Sequence, residues 1–367
     1  MAYGAPYMSQ LPKHRVEGDK AFSAYGIDFM GPLFLKPPEG DGEAKSYVAL
    51  ITCCSSRMTH LELCSSMDTA ALLGCLKRCF ARRGIPSLII SDNAKYFKSA
   101  SLKSFIASRG VTWRYNLAKA PWWGGLFERM IRSTKRCLKK SLKNQKFSYE
   151  DLTTVLAEIE AVLNSRPLTY IQADSTNVLT PFHLYCGTRA LDPPDPRIVD
   201  FTEMTANAAR DKVLKLDKLV KSFWSTWSKD YLTSLRENAI NKGRKGEGPK
   251  VGDVVVIHED NVKRALWKLG RVVDLIKGKD GVIRGAKVKT NSRYSGGVIE
   301  RPLQKLFPLE MGRGEEENEN SGNVLADAPV HELPSAVSEE TSVPDPPKPS
   351  KAKQATCSRY PLRSKSS

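Results

Sequence analysis

The feature that most constrains this chain is an apolar strand that ends directly on polar side chains. Leu88–Ile90 is followed at once by Ser91, Asp92 and Asn93. A second carboxylate, Asp28, lies inside another apolar run. Because a carboxylate in an apolar strand is costly unless it is paired or binds a cation, both positions indicate a built site rather than a solvated surface.

A third carboxylate, Glu128, lies in the first turn of a predicted helix that begins at Gly124-Gly125. Thirty-five residues, 93 through 127, separate it from Asp92. The spacing alone means little, because 40 acidic residues in 367 give many such pairs by chance. Three carboxylates brought together repel one another until a cation neutralises them, and oxygen ligands suit Mg²⁺ or Mn²⁺. We therefore predict that Asp28, Asp92 and Glu128 converge on a metal site.

The composition of the chain indicates which kinds of partner it can bind. The formal net charge is +17, which favours a polyanion such as nucleic acid, although a merely soluble basic protein is the alternative. No run approaches the ~18 apolar residues of a membrane helix, and the first residues have no apolar signal region, so no membrane partner is expected. Most of the eight cysteines lie in apolar segments without a Cys-x-x-Cys pair, which predicts reduced, buried, intracellular thiols.

The order of predicted elements fits an α/β, ribonuclease-H-like fold: a mixed five-stranded sheet with flanking helices, in which the first and fourth strands are neighbours. Asp68 is the predicted N-cap of the first helix. His60 is predicted to be packed or hydrogen-bonded rather than a metal ligand, and Cys75 and Cys79 to pack in the core. The predicted elements are strands at 21–36, 46–54, 58–63, 88–90 and 111–115, and helices near 69–83, 99–109 and 125–143.

The helix that carries Glu128 has an unusual charge pattern. Residues 129–146 hold eight Lys or Arg and no acid, and four of the basic residues share a face with Glu128: Arg132, Lys135, Lys139 and Lys143. A solvated helix face is the alternative, but such faces usually mix both signs. The all-positive stripe therefore predicts a track for nucleic-acid phosphates.

The second half predicts a helical and then an all-β region. Ser148 is the predicted N-cap of a helix over 147–167, residues 167–196 are predicted to be looped with an apolar patch at 182–185, and 205–238 to form a helix that packs on a domain or another protomer. Five short strands between 254 and 307 predict a small basic β-barrel. The predicted domains are an extended segment 1–20, a catalytic core 21–190, a helical connector and hinge 191–248, the DNA-binding barrel 249–310 and a disordered tail 311–367.

Several of these segments resemble a known family. The three catalytic blocks of retroelement integrases with an Asp-Asp-Glu triad are similar to YGIDFMGPL, IISDNAKYF and APWWGGLFERMIRSTK. The BEL/Pao group of long-terminal-repeat retrotransposons is similar, more specifically, to NSRPLTYI, LTPFHLYCG, FWSTWSKDYL and residues 251–309. The resemblance covers roughly residues 8–310.

The resemblance implies an enzyme that processes the 3′ ends of element DNA and joins them to a target duplex. It implies a homo-multimer, synthesised in the cytoplasm and acting in the nucleus. The acidic block 315–319 and the basic end of the tail suggest contact with chromatin, although a simple solvated tail is the favoured alternative. The family's zinc-binding domain normally precedes this region. Because no cysteine occurs before residue 53, we expect that domain to be missing and the chain to be a fragment or a decayed element.

The implied chemistry assigns roles to individual residues. Two Mg²⁺ or Mn²⁺ ions would clamp the attacking and leaving oxygens, with Asp28 bridging both and Asp92 and Glu128 each completing one site. Asn93 and Asn116 are expected to support the site from behind. Further residues are expected to contact DNA or to anchor the loop before the catalytic helix: Lys119, Lys268 and Arg271 for phosphates, and Trp122 and Trp123 for either role.

Two other functions stay open. A nuclease of the same fold could act on RNA–DNA hybrids, although no fourth carboxylate is evident in the sequence. A non-catalytic DNA- or chromatin-binding remnant is favoured by the missing zinc domain and by Ala94, which stands where the family usually has glycine. If that position requires a positive φ, Ala94 would be strained.

Overall fold

The computed structural model describes nine stretches of the chain, all within one compact unit, Met1–Gly314. They are residues 20–37, 42–116, 125–142, 145–170, 178–187, 207–241, 248–259, 266–290 and 297–310, with the side chains of 125–129, 207–209 and 238–241 also excluded. The predictions for 1–19, for most of the hinge at 242–248 and for the tail 311–367 fall outside these stretches.

A mixed five-stranded sheet forms the first part of the fold, as predicted. The strands are β1 (Ala24–Leu35), β2 (Ala44–Cys53), β3 (Thr59–Cys64), β4 (Leu88–Ser91) and β5 (Thr112–Tyr115), in the order β3-β2-β1-β4-β5. β1, β2 and β3 are antiparallel, whereas β4 runs parallel to both β1 and β5. The first and fourth strands are therefore neighbours, which confirms the predicted ribonuclease-H-like arrangement.

The far end of β1 bends at Gly31, where the sequence predicts a kink. The register against β2 shifts between Met30 and Leu33. Gly31 has φ +154°, and a Cβ there would lie 2.5 Å from Tyr47 Cδ1, so only glycine fits. The bulge turns the outer part of β1 away while its first half stays in register with β4.

Six helices complete the described chain: α1 (Thr69–Arg83), α2 (Ala100–Ala107), α3 (Gly125–Ser141), α4 (Tyr149–Asn164), α5 (Pro181–Cys186) and α6 (Asn207–Asn241). α1 and α2 pack on one face of the sheet, where Ile27, Ala49 and Ile51 point. α3, α4 and α6 pack on the other face, where Leu50 and Leu61 point. Because side chains alternate along a strand, Asp28 lies on the α3 side of the sheet.

The local signals that predict α1 and α4 are confirmed. Asp68 Oδ1 accepts a hydrogen bond from Ala71 N at 2.7 Å, and Ser148 Oγ accepts one from Asp151 N at 3.1 Å. Cys75 and Cys79 are buried in the core, as predicted. The seven described cysteines are free thiols, and all but Cys186 are buried.

The loop predicted over 167–196 is wrong in part. It contains the short helix α5 and the two-residue strands β6 (Thr169–Tyr170) and β7 (Val178–Leu179). Thr180 caps α5 through a reciprocal pair of hydrogen bonds with His183. Phe182 and Tyr185 pack against the core cluster, as the apolar patch predicts.

α6 packs against α3 and α4, which confirms that this helix does not stand free. Trp227 is fully buried, and Trp224 meets Trp267 edge-on with ring centroids 4.9 Å apart. Trp267 lies next to the second sheet, so the aromatic side of α6 joins the two halves of the described chain.

The second sheet is antiparallel, with the order β11-β10-β9-β8-β12. Its strands are β8 (Val254–Ile257), β9 (Leu269–Lys277), β10 (Ile283–Thr290), β11 (Val298–Pro302) and β12 (Leu306–Pro308). The five predicted strands are present, but the edge strands β11 and β12 do not pair within the described residues, so the predicted closed barrel is not shown. None of the helices described is long and apolar enough to cross a membrane.

Candidate active site

Two of the three predicted carboxylates emerge side by side from the first sheet. Ile27 of β1 is the parallel register partner of Ser91 of β4. Asp28 follows Ile27 within β1, and Asp92 follows the last residue of β4, so the two residues lie at the same level of neighbouring strands. Asp28 is partly buried and Asp92 is exposed. The parallel register of β1 and β4 thus places the two carboxylates next to each other.

The hydroxyl of Tyr96 lies close enough to Asp28 and Asp92 for their charges to change its pKa. The Tyr96 ring lies in a single 3₁₀ turn, Lys95–Lys98, and packs edge-on against Phe29 with centroids 5.6 Å apart. Burial raises the pKa of the Tyr96 hydroxyl, and the charges of Asp92 and then Asp28 raise it further. The hydroxyl is therefore protonated at neutral pH, and both carboxylates lie within electrostatic reach of it.

Asp28 is held by two partners. Oδ1 accepts a hydrogen bond from Phe29 N at 2.7 Å, and Oδ2 forms an ion pair with Lys135 Nζ at 2.5 Å. Lys135 is a residue of α3 that the sequence assigns to the phosphate track. In the structure its ammonium lies against Asp28, and its binding to a phosphate stays a prediction. The ammonium shows that a cation is accommodated at this carboxylate.

Glu128 lies in the first turn of α3, seven residues before Lys135 and so about two turns along the same side of the helix. Its side chain falls outside the described residues, so the convergence of all three carboxylates stays a prediction. Among the side chains that the structure describes, no group of three or more His, Cys, Asp or Glu is placed to hold a metal ion. The donors of Asp28 and Asp92 are carboxylate oxygens, which fit a hard divalent cation.

The loop after β4 is tied to the end of β5. Asp92 Oδ1 accepts a hydrogen bond from Ala94 N at 3.2 Å. Asn93 Nδ2 donates to the carbonyl oxygen of Asn116 at 2.6 Å, and Asn116 N donates to that of Ser91 at 2.8 Å. The two predicted supporting residues therefore meet each other rather than Asp92, and they fix its position through the backbone.

Ala94 is not strained. Its backbone has φ −59° and ψ 144°, an ordinary region for any residue. The structural reason for expecting impaired activity from this alanine is therefore removed.

The other residues that the sequence assigns to DNA contact differ in their surroundings. Arg132 and Lys139 are exposed on α3, while Lys143, Lys119, Trp122 and Trp123 lie outside the described residues. Lys268 Nζ pairs with Glu259 Oε1 at 2.7 Å, and Arg271 Nη1 donates to the Gly252 carbonyl oxygen at 3.0 Å. The last two residues therefore have intramolecular partners, and their binding to DNA stays a prediction.

His60 is hydrogen-bonded, as the sequence predicts. Its Nδ1 lies 2.9 Å from Glu160 Oε2, and its Nε2 lies 3.3 Å from Glu62 Oε2. Burial lowers the pKa of His60, but the hydrogen bonds to Glu160 and Glu62 outweigh burial, so the pKa is raised. Arg83 completes this cluster by an ion pair with Glu160. This cluster of His60, Glu62, Glu160 and Arg83 joins α1, β3 and α4.

A second buried ion cluster has no counterpart in the sequence analysis. The Arg166 side chain is 1% exposed, and its Nε lies 3.0 Å from Glu310 Oε1. Arg57 Nη1 lies 2.6 Å from Glu310 Oε2. Glu310 follows β12, whereas both arginines belong to the first half of the fold. The cluster therefore fastens the end of the second sheet to the part that carries Asp28 and Asp92.

The comparison with family models identifies the first sheet. The model described as "Integrase core domain" matches residues 20–121, which hold β1 to β5 together with Asp28 and Asp92. The chain carries an integrase core domain. A second model, a family of unknown function (DUF5641), matches residues 211–309, which hold most of α6 and the second sheet.

Known proteins resemble the integrase core at low identity. The Gag-Pol polyprotein of Walleye dermal sarcoma virus is 26% identical over 164 residues, which is 44% of this chain and only 9% of that polyprotein. The HTLV-2 integrase catalytic core domain in complex with magnesium is 16% identical, with 46% of this chain and 98% of that one covered and a TM-score of 0.32. The simian T-cell lymphotropic virus intasome in complex with PP2A regulatory subunit B56 gamma is 13% identical, with 83% and 84% covered and a TM-score of 0.35.

Proposed function

We propose that this chain is the catalytic region of a retroelement integrase of the BEL/Pao group. It processes the 3′ ends of element DNA and joins them to a target duplex. The observation that carries the proposal is the pair Asp28, within β1, and Asp92, directly after β4, at the same level of neighbouring parallel strands within residues that match an integrase core. The assignment to the BEL/Pao group is based on the sequence blocks that extend through residues 251–309.

The carboxylates of Asp28, Asp92 and Glu128 would hold two Mg²⁺ or Mn²⁺ ions. Such ions, when bound, activate the attacking oxygen of water or a DNA 3′-hydroxyl and stabilise the leaving oxygen. The chain's own contribution is to fix the ligands. The backbone N–H groups of Phe29 and Ala94 donate to the carboxylates of Asp28 and Asp92, and β1 and β4 pair in register within the sheet.

Lys135 has a role in the same proposal. Its ammonium lies against Asp28 Oδ2 and is partly exposed, so it balances negative charge at the mouth of the site. A phosphodiester brought to these carboxylates would otherwise meet like charge, which is unfavourable at short range. We expect Lys135 to hold the phosphate group near Asp28, in agreement with the predicted phosphate track.

The unstrained backbone of Ala94 supports the catalytic function over a non-catalytic remnant. The proposal also places the protein in the nucleus, where target DNA is found, as a homo-multimer that holds two DNA ends. Contact with chromatin through residues 311–367 belongs to the same proposal.

The test is 3′-end processing and strand transfer by the purified full chain in Mn²⁺, on duplexes with the element's terminal sequence. We expect activity in the wild type, its loss in Asp28→Asn and Asp92→Asn, and its retention in Asp274→Asn. Asp274 is an exposed carboxylate of β9 that pairs with Lys287, so it matches the chemical change at a distant site. Undiminished joining by Asp92→Asn would remove the assigned site. Cleavage of RNA–DNA hybrids without joining would select the nuclease, and salt-sensitive DNA binding without any reaction would select the remnant.

A further inference from the structure

A groove runs between α3 and α6, on the side of α3 next to the one that faces Asp28. Its volume is about 420 Å³. Three of its lining residues are basic and one is acidic. The lining residues are Arg136, Cys137 and Lys140 from α3, and Ser225, Thr226, Lys229, Asp230 and Thr233 from α6.

The geometry points to this groove as a second binding surface for the phosphate backbone of duplex DNA, made jointly by the integrase core and the helix that follows it. The inference rests on the proposed function, because it takes DNA as the partner. It adds a surface outside the catalytic carboxylates, through Lys140 and Lys229, which the sequence analysis does not assign.

The packing of α6 decides which of its residues face the groove. Its aromatic side, including Trp224, Trp227 and Tyr231, is buried against the core and Trp267. Thr226, Lys229 and Thr233 lie at helical spacing on a different side, which meets α3. The tryptophan packing therefore forces Lys229 to lie opposite the basic side chains of α3.

The only acid in the groove lining already has partners. Asp230 accepts from Ser133 Oγ and forms an ion pair with Arg136. Within the described stretches, Lys140 and Lys229 have no carboxylate at ion-pair distance, and both are exposed. Burial raises the pKa of the Cys137 thiol, so it adds no negative charge. Two helices thus bring cations together with a net positive balance, which favours a polyanion.

The lining also indicates what part of DNA is bound. The hydroxyls of Thr226 and Thr233 donate to backbone carbonyl oxygens of α6, at 3.0 and 2.9 Å. Among the lining residues there is no Asn, Gln or aromatic side chain to read or stack on a base, and the Arg136 guanidinium is engaged by Asp230. The charged donors that remain are the ammonium groups of Lys140 and Lys229, and contacts from such groups to phosphates carry no sequence information. Binding should therefore be independent of sequence.

The test is the salt dependence of duplex binding by the full chain, measured by fluorescence anisotropy with labelled duplexes of two unrelated sequences. We expect Lys140→Gln and Lys229→Gln each to weaken binding to both duplexes alike, and to reduce the slope of log K against log salt by about 1. Lys103→Gln is the matched control, because Lys103 is exposed on α2 on the opposite face of the sheet. Its slope should equal that of the wild type.

For Asp230→Asn the expected result is tighter DNA binding, which a misfolded variant would not show. The substitution removes the negative charge of the groove and frees Arg136, so it should tighten DNA binding and steepen the salt slope. If the wild-type chain binds and joins DNA but Lys140→Gln and Lys229→Gln keep the wild-type salt slope, the groove proposal alone is overturned. A wild-type chain that binds no duplex at any salt concentration would overturn the proposed function with it.

Discussion

Replacing Glu310 by alanine should loosen the second sheet from the integrase core. Arg166 is 1% exposed and Glu310 8% exposed at their side chains, so the variant leaves a buried guanidinium without its counter-charge. Removal of one partner from a buried ion pair typically costs 3–5 kcal/mol. The guanidinium keeps hydrogen bonds to the carbonyl oxygens of Leu163 and Arg57, at 2.8 and 2.7 Å. We therefore expect the lower end, about 3 kcal/mol.

The assay is urea unfolding together with hydrogen exchange of the amides in β8 and β12. If the cluster holds the sheet in place, those amides should exchange earlier in Glu310→Ala than in the wild type, while the amides of β1 and β2 change less. Glu300→Ala is the control, because Glu300 is an exposed acid of β11 and surface changes usually stay within about 0.5 kcal/mol. A loss below about 1 kcal/mol in Glu310→Ala, with unchanged exchange in β12, would refute the reasoning.

The same carboxylate predicts acid sensitivity. Burial raises the pKa of Glu310, but the charges of Arg166 and Arg57 outweigh burial and lower it below the ordinary value of 4.5. Its contribution to stability is therefore present above pH 4.5 and is lost as the pH falls through the lowered, folded-state pKa. Glu310→Gln should flatten this part of the stability curve.

Three further changes test other parts of the fold. Because the pKa of His60 is raised, its contribution to the free energy of unfolding is full below pH 6.5 and is lost as the pH rises through the folded-state pKa. Plots of stability against pH for the wild type and His60→Gln should therefore diverge in that range. Parallel plots would contradict the raised pKa. Ala94→Gly should bring no gain in strand transfer and should lower the free energy of unfolding by about 0.4–1 kcal/mol, since the native φ suits alanine; a gain in joining would show that the position needs a positive φ. Leu138→Ala, at a fully buried position of α3, should cost about 2–5 kcal/mol in urea unfolding, whereas Leu214→Ala, 44% exposed on α6, should cost far less.

Local signals in the sequence predicted most elements of the integrase core. The caps Asp68 and Ser148 begin α1 and α4 as expected, because a cap depends only on the few residues that follow it. The apolar runs before Asp92 and around Asp28 gave β4 and β1, since strand patterning is likewise local. α5 was missed because six residues are too few to show a helical period, and its cap at Thr180 depends on a histidine rather than the usual acid.

The partners of the charged side chains were decided by the tertiary structure. The sequence shows that Lys135 shares a helix face with Glu128, but its ion pair with Asp28 spans 107 positions. Arg166 and Glu310 are 144 positions apart, and no local pattern links them.

By itself the sequence therefore determined where most strands and helices form and that Asp28 lies in one strand and Asp92 directly after another, because those depend on neighbouring residues. Only the packing of α3, α4 and α6 onto one face of the sheet decided which charges meet, since an ion pair depends on distance in space. The groove that brings Lys229 opposite Lys140 exists for the same reason: the buried tryptophans of α6 set the rotation of that helix.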